Sequence, residues 1–206
     1  MAEQDLPQIY LVTPPEFDLG SFPATVERVL GGADIAFLRL TRGSRDEDRL
    51  TRAADAIREI AHRADVALVI DTHVVLAQRL GLDGVHLTDG ARTVRSARKT
   101  LGSDAIVGAH CGQSRHDGMI AGEAGADYIA FGPVSGGLGD GATADHALFE
   151  WWSQMIELPV VAEGGLTEES IRDLAPVTDF FAVGEEIWRG DDPLAELNRL
   201  IAAMHA

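Results

Sequence analysis

The side chains that could do chemistry stand at the ends of short apolar runs. Leu38-Arg39-Leu40-Thr41-Arg42-Gly43-Ser44-Arg45 is the one locally basic loop of an acidic chain. Arginine's planar fork matches phosphate or carboxylate oxygens. Arg39 abuts an apolar run and is the candidate for a placed role, whereas Arg42 and Arg45 fit a solvated surface. Ile70-Asp71-Thr72-His73 puts a carboxylate at the end of another run. Asp71 suits Mg2+, an ion that takes one or two carboxylates plus substrate phosphates. It suits equally the N-cap of a helix beginning near His73. In Val85-His86-Leu87-Thr88-Asp89-Gly90, His86 reads as a core histidine among apolar neighbours, and Asp89 as a second metal ligand or a turn former with Gly90. Gly108-Ala109-His110-Cys111 sets a thiol beside an imidazole. Sequence neighbours at a strand end seldom meet side chain to side chain, so His110 as acid/base or substrate contact is preferred to a cysteine nucleophile.

The elements that must position these groups alternate along the chain. Strand candidates are Ile9–Val12, Ile35–Leu40, Val66–Ile70, Gly84–Leu87, Ala105–Gly108, Tyr128–Phe131, Val160–Ala162 and Phe180–Val183. Their continuous apolar character suits parallel strands buried on both faces. Helical periodicity fills Asp46–His62, Arg92–Thr100, His116–Ala124, Ala144–Ile156, Thr167–Leu174 and Pro193–Met204. Thr167 with Ser170, and Asp192 before Pro193, mark helix starts; Gly102 and Gly125 mark helix ends. Eight βα units in 206 residues average about 26 each, near the lower limit of a (β/α)8 TIM barrel. A doubly wound open sheet uses the same alternation. No linker or composition break divides residues 1–206, so one domain is expected.

In a barrel, the loops after the strands carry function, and glycine turns after strands seven and eight offer backbone N–H groups to phosphate. Gly164-Gly165 and Gly184 occupy those places. The glycine-dense Ser135–Gly141 segment reads as a loop over such a site. On the sixth helix, Trp151 and Trp152 cannot both face inward, which leaves one for a contact surface and makes a homo-oligomer possible.

Composition narrows the partners. Thirty-three acidic against 17 basic residues leave a net charge of −16, which excludes a nucleic-acid binder or an anionic membrane surface. No apolar run approaches the roughly 18–20 residues of a membrane span. The acidic, polar first residues carry no signal-peptide pattern, and a lone cysteine fits a reducing compartment, so a cytoplasmic location is expected. Among the basic residues one, Lys99, is a lysine.

Several of these segments together resemble the thiamine phosphate synthase family, which includes a thiazole tautomerase branch. They are Ile9-Tyr10-Leu11-Val12-Thr13, Leu38-Arg39, Asp71, Asp83-Gly84-Val85-His86-Leu87, Gly125-Ala126-Asp127-Tyr128-Ile129, Phe131-Gly132-Pro133-Val134 and Pro159 through Gly165. The resemblance runs over roughly residues 8–204. It implies a (β/α)8 barrel that joins a hydroxymethylpyrimidine diphosphate to a thiazole phosphate and releases diphosphate with Mg2+. By position, Arg39 touches diphosphate or pyrimidine, Asp71 holds Mg2+, and Gly165 and Gly184 contact the thiazole phosphate. Asp89, displaced two positions from the family's second aspartate, is the other candidate metal ligand, and Gly132 and Gly164 are further candidate phosphate contacts. Phosphorylated thiamine precursors are the expected partners.

The chain also departs from the family pattern. Thr41 stands where the family has a lysine, Ala91 where it has its second aspartate, and Glu185, followed by Glu186, where it has a serine. Residues 163–196 hold ten acids against Arg172 and Arg189, a net −8 around the expected phosphate site. Two other readings therefore stand beside the first. One keeps the fold but runs a tautomerase-like or salvage reaction on His110 without a diphosphate step. The other is a non-catalytic barrel binding a precursor or partner, with Arg39 and Asp71 held in salt bridges.

Overall fold

The computed structural model describes residues 6–41, 43, 46–135 and 143–205. Arg42, Ser44, Arg45 and Gly136–Gly141 lie outside the described residues. The strands are β1 (Gln8–Val12), β2 (Ile35–Leu40), β3 (Ala67–Asp71), β4 (Gly84–Leu87), β5 (Ile106–His110), β6 (Tyr128–Phe131), β7 (Val160–Glu163) and β8 (Phe180–Val183). Each pairs in parallel with the next, and β8 returns to β1 through Ile9↔Phe181 and Tyr10↔Ala182. The alternation builds a closed (β/α)8 barrel and not an open sheet.

The helices are α1 (Phe22–Gly32), α2 (Glu47–Arg63), α3 (Val74–Leu80), α4 (Val94–Leu101), α5 (Arg115–Glu123), α6 (His146–Met155), α7 (Glu168–Leu174), α8 (Glu185–Trp188) and α9 (Pro193–Ala203). The periodic stretches named above do not include α1, which opens on Pro23 and buries only Val26, Val29 and Leu30. Elsewhere punctuation and structure agree. Thr167 and Ser170 form a reciprocal capping box on α7, and Asp192 accepts from the Ala195 amide at the head of α9. The glycines Gly102 and Gly125 take positive φ after α4 and α5. On α6, Trp152 is buried and donates to the Leu158 carbonyl at 2.8 Å, while Trp151 is half-buried beneath the Arg115 guanidinium.

All strands but β4 serve two apolar cores. Outward-facing Leu11, Leu38, Leu40, Leu68, Ile70 and Phe181 pack against the helices. Inward-facing Tyr10, Val69, Tyr128, Ala130, Val161 and Ala182 fill the barrel with Phe37, Ile106 and Phe180. Both faces are apolar, so the strands read as unbroken apolar runs. The period of two then sets what crowns the interior: two residues beyond Phe37, Val69, Gly108 and Val161 come Arg39, Asp71, His110 and Glu163.

Gly108 shows how tightly the interior is filled. A Cβ there would lie 1.9 Å from Tyr128 Cζ, and that ring stacks on His86 while its hydroxyl is bonded to Tyr10. Tyr128 has nowhere to go. Gly108→Ala is expected to cost about 3 kcal/mol in urea unfolding, the upper end for overpacking.

Candidate active site

Arg39, on β2 and with its side chain 11% exposed, is the hub of the inward crown. Its Nη1 donates to Glu163 Oε2 at 2.9 Å, and its Nε stands 3.5 Å from Asp71 Oδ1. Burial opposes the Arg39 charge, but Glu163, Tyr10 and Asp71 outweigh it and hold the guanidinium firmly protonated. Burial alone would also raise the Glu163 carboxyl; Arg39 and the His110 ring overcome that and hold it well below the usual carboxylate range. Glu163 therefore stays ionised inside the barrel mouth.

His110, at the end of β5, is the most open member of the group. Its Nδ1 lies 2.9 Å from Glu163 Oε1. Below them, His86 Nδ1 is 2.8 Å from the Tyr128 hydroxyl, which is 2.7 Å from that of Tyr10. The core reading of His86 holds. Its Nε2 nonetheless stands 4.0 Å from Glu163 Oε2, so it borders the site from beneath. Burial, reinforced by the Arg39 charge, pushes the His86 pKa well down and keeps the ring neutral.

A neutral buried histidine has a consequence for stability. The folded chain binds no proton at His86 where the unfolded side chain does, so acid favours unfolding. Unfolding free energy is expected to fall as pH drops below about 6.5, the ordinary histidine value, at up to about 1.4 kcal/mol per pH unit from this residue. Urea melts on either side of that value test it, and His86→Gln is expected to remove that part of the slope.

Asp71 does not cap α3; His73 does, accepting from the Leu76 amide. The chain turns between them on Thr72, at φ 56°, a left-handed conformation that a β-branched residue adopts only under strain. The Thr72 hydroxyl meets that of Thr88 at 3.2 Å, joining the loops that carry Asp71 and Asp89. Asp89 accepts a hydrogen bond from Thr93, with Gly90 at positive φ beside it, so the turn reading describes its present contacts. The two carboxylates nevertheless share one rim. Cys111 is buried, its thiol facing the Ala109 carbonyl, and burial pushes its pKa up to about 12, far from a nucleophilic thiolate.

The glycine turns lie beside this crown. Gly164 and Gly165 take φ 81° and 73°, and a Cβ on Gly165 would fall 2.2 Å from the Ser135 carbonyl oxygen. A Cβ on Gly132 would fall 2.2 Å from the Glu163 carbonyl oxygen, which brings β6 close against β7. Between the β7 and β8 turns sits an anion from the chain itself. Glu186 accepts from the Gly184 amide at 2.8 Å with one oxygen and from the Leu166 amide at 3.1 Å with the other. Glu185 turns outward to Arg189. Of the two acids expected near this phosphate position, one fills it and one leaves it.

Residue types and spacing point to Arg39, Asp71, Asp89, His110 and the glycines, but not to Glu163, Tyr128 or Tyr10, as site residues. The available signal for Glu163 was an acid two residues beyond Val161; with both strand faces apolar, nothing in the pattern said which face was inside.

Residues 9–187 match the family model described as thiamine monophosphate synthase. The thiamine-phosphate synthase of Erythrobacter litoralis is 40% identical over 204 residues, covering 95% of both chains. That of Rhodospirillum centenum is 39% identical over 184 residues, 88% of this chain and 89% of its own. Among solved structures, thiamine phosphate pyrophosphorylase from Pyrococcus furiosus superposes with TM-score 0.81 at 20% identity, covering 97% of each chain. Orotidine 5'-phosphate decarboxylase from Pyrococcus horikoshii shares the fold at TM-score 0.70 and 12% identity, with 96% of this chain and 99% of its own covered.

Proposed function

The chain belongs to the thiamine monophosphate synthase family, and from that membership we propose that it makes thiamine phosphate, joining a hydroxymethylpyrimidine diphosphate to a thiazole phosphate and releasing diphosphate. The observation that carries this reading is the near full-length identity with thiamine-phosphate synthases. The crown of the barrel supplies chemistry consistent with it.

The barrier is departure of diphosphate, which leaves positive charge on the pyrimidine methylene. Both charges need partners in a site shielded from water. Arg39 suits the departing oxygens: its fork can exchange a carboxylate for a phosphate without losing its hydrogen bonds. That exchange frees Glu163, already ionised, to face the developing pyrimidine cation. His110, beside Glu163 and partly open, contacts the substrate and donates to or accepts from it as charge moves. Gly165, and Gly184 once the Glu186 carboxylate leaves its amide, offer backbone N–H groups to the thiazole phosphate, with Gly164 and Gly132 shaping the same wall.

The residues present fit Mg2+: Asp71 and Asp89 are hard oxygen donors on touching loops, and substrate phosphates complete such an ion's coordination. Asp71 and Asp89 would hold Mg2+, which when bound neutralises charge on the diphosphate.

No helix among the described residues is long and apolar enough to cross a membrane. Phosphorylated precursors, being charged and held within the cell, suit a cytoplasmic single-domain enzyme.

Incubation with both phosphorylated substrates and Mg2+ is expected to yield thiamine phosphate and diphosphate in equal amounts. No product at saturating substrate overturns the proposal. The pairing of Arg39 with Glu163 and Asp71 also fits a barrel that binds a precursor without turning it over. Tight binding without product in the same assay would select that reading.

A further inference from the structure

We propose that His86, His110 and Glu163 form a binding site for a first-row transition-metal ion, with Zn2+ or Co2+ as the fitting ions. One ligand atom from each of these residues lies within 4.8 Å of the other two. They come from β4, β5 and β7, rigid elements whose inward positions converge at the barrel mouth. Two imidazole nitrogens and one carboxylate oxygen are the donors that zinc and cobalt favour, with positions left for water. Mg2+ prefers oxygen alone, so this site is chemically distinct from the Asp71 and Asp89 rim.

The second observation is an unsatisfied atom. His86 is 1% exposed, yet its Nε2 makes no hydrogen bond among the described residues. A buried polar atom left so is costly, and a metal ion gives that nitrogen a partner.

The surrounding contacts are those that orient ligands. A ligating histidine usually hydrogen-bonds through its other nitrogen, and ligating carboxylates are themselves held. His86 Nδ1 is on the Tyr128 hydroxyl, and that hydroxyl is on Tyr10. Glu163 divides its oxygens: Oε2 takes Arg39 while Oε1 faces His110. Bonds of about 2.0–2.1 Å in a tetrahedral site set ligand atoms roughly 3.3 Å apart. His110 Nδ1 and Glu163 Oε1 are 2.9 Å apart, so they need to open only slightly. His86 Nε2 lies within 4.8 Å of the other two ligand atoms and must close by up to about 1.5 Å. Arg39 opposes a cation at His86, and the ionised Asp71 and Glu163 beside it offset that charge, leaving the cluster at a formal −1.

Titration of the tag-free full chain with Co2+, without Mg2+ or substrate, tests the site. One equivalent is expected to give the strong visible absorption of four- or five-coordinate cobalt. His110→Ala and Glu163→Gln are each expected to weaken binding by about 100-fold, the scale on which ligand environments set metal affinity. Asp71→Asn, which removes one offsetting charge but no ligand, is expected to weaken it by less than about tenfold. The proposal is overturned if no such band forms. It is equally overturned if the band survives in both His110→Ala and Glu163→Gln, or if Asp71→Asn abolishes it as fully as His110→Ala does. The readout requires no turnover, so its failure and the failure of the thiamine phosphate reading are separate results.

Discussion

Replacing Arg39 by methionine is expected to lower the rate of thiamine phosphate formation by about 1,000-fold and to destabilise the fold by about 3–5 kcal/mol. The two effects have different origins. The first is loss of the fork that receives the departing diphosphate. The second comes from Glu163 and Asp71, left as carboxylates at 16% and 13% exposure with their cation removed. Arg39→Lys is expected to rescue little, because an ammonium is a point charge on a flexible stem and cannot span both carboxylates. The triple variant Arg39→Met/Asp71→Asn/Glu163→Gln separates the effects. Its stability is expected to return close to that of the parent chain in urea unfolding, while activity stays lost. If Arg39→Met folds and turns over normally, Arg39 is a structural tie and the proposed exchange of partners is wrong.

Glu186→Ala is expected to lower KM for the thiazole phosphate by about tenfold with little change in kcat, at a stability cost of about 1–2 kcal/mol. The Glu186 carboxylate now holds the Gly184 and Leu166 amides, the donors that face the gap between the β7 and β8 turns. A substrate phosphate must displace it or bind beside it against charge repulsion. Removing the carboxylate releases the donors and removes the repulsion, both of which act on binding before chemistry. The released amides then face water in the empty site, which accounts for the stability cost. Initial rates against thiazole phosphate concentration check this. A KM that rises instead means that Glu186 builds the turns the phosphate needs.

Much of the fold could be read from residue order. Four of the eight strand candidates match to the residue, among them Ile35–Leu40 and Tyr128–Phe131. The others shift by one or two residues, mostly at polar ends such as Asp71, His110 and Glu163, where the apolar signal stops before the hydrogen-bonded ladder does. The helix α1 carries a weak pattern because its Ala, Gly and Pro residues give little periodicity. Asp71 was legible as a strand-end carboxylate, but its choice between capping and pairing was not. That choice depends on Arg39, a residue 32 positions earlier, standing on the adjacent strand.

Composition argued against a nucleic-acid partner, the apolar alternation determined a βα repeat, and the ordered motifs determined the family. All three are properties of residue types and their order, which local physics and resemblance can read. Closure of the sheet, the inward register and the meeting of Arg39, Asp71, His86, His110 and Glu163 were decided in three dimensions. Strands buried on both faces carry no sign of which side is inside, and only β8 pairing with β1 sets that. The acidic excess shows the same division. Its total was plain in the chain, but only the tertiary structure sends Glu185 out to Arg189 and Glu186 in to the amides of Gly184 and Leu166.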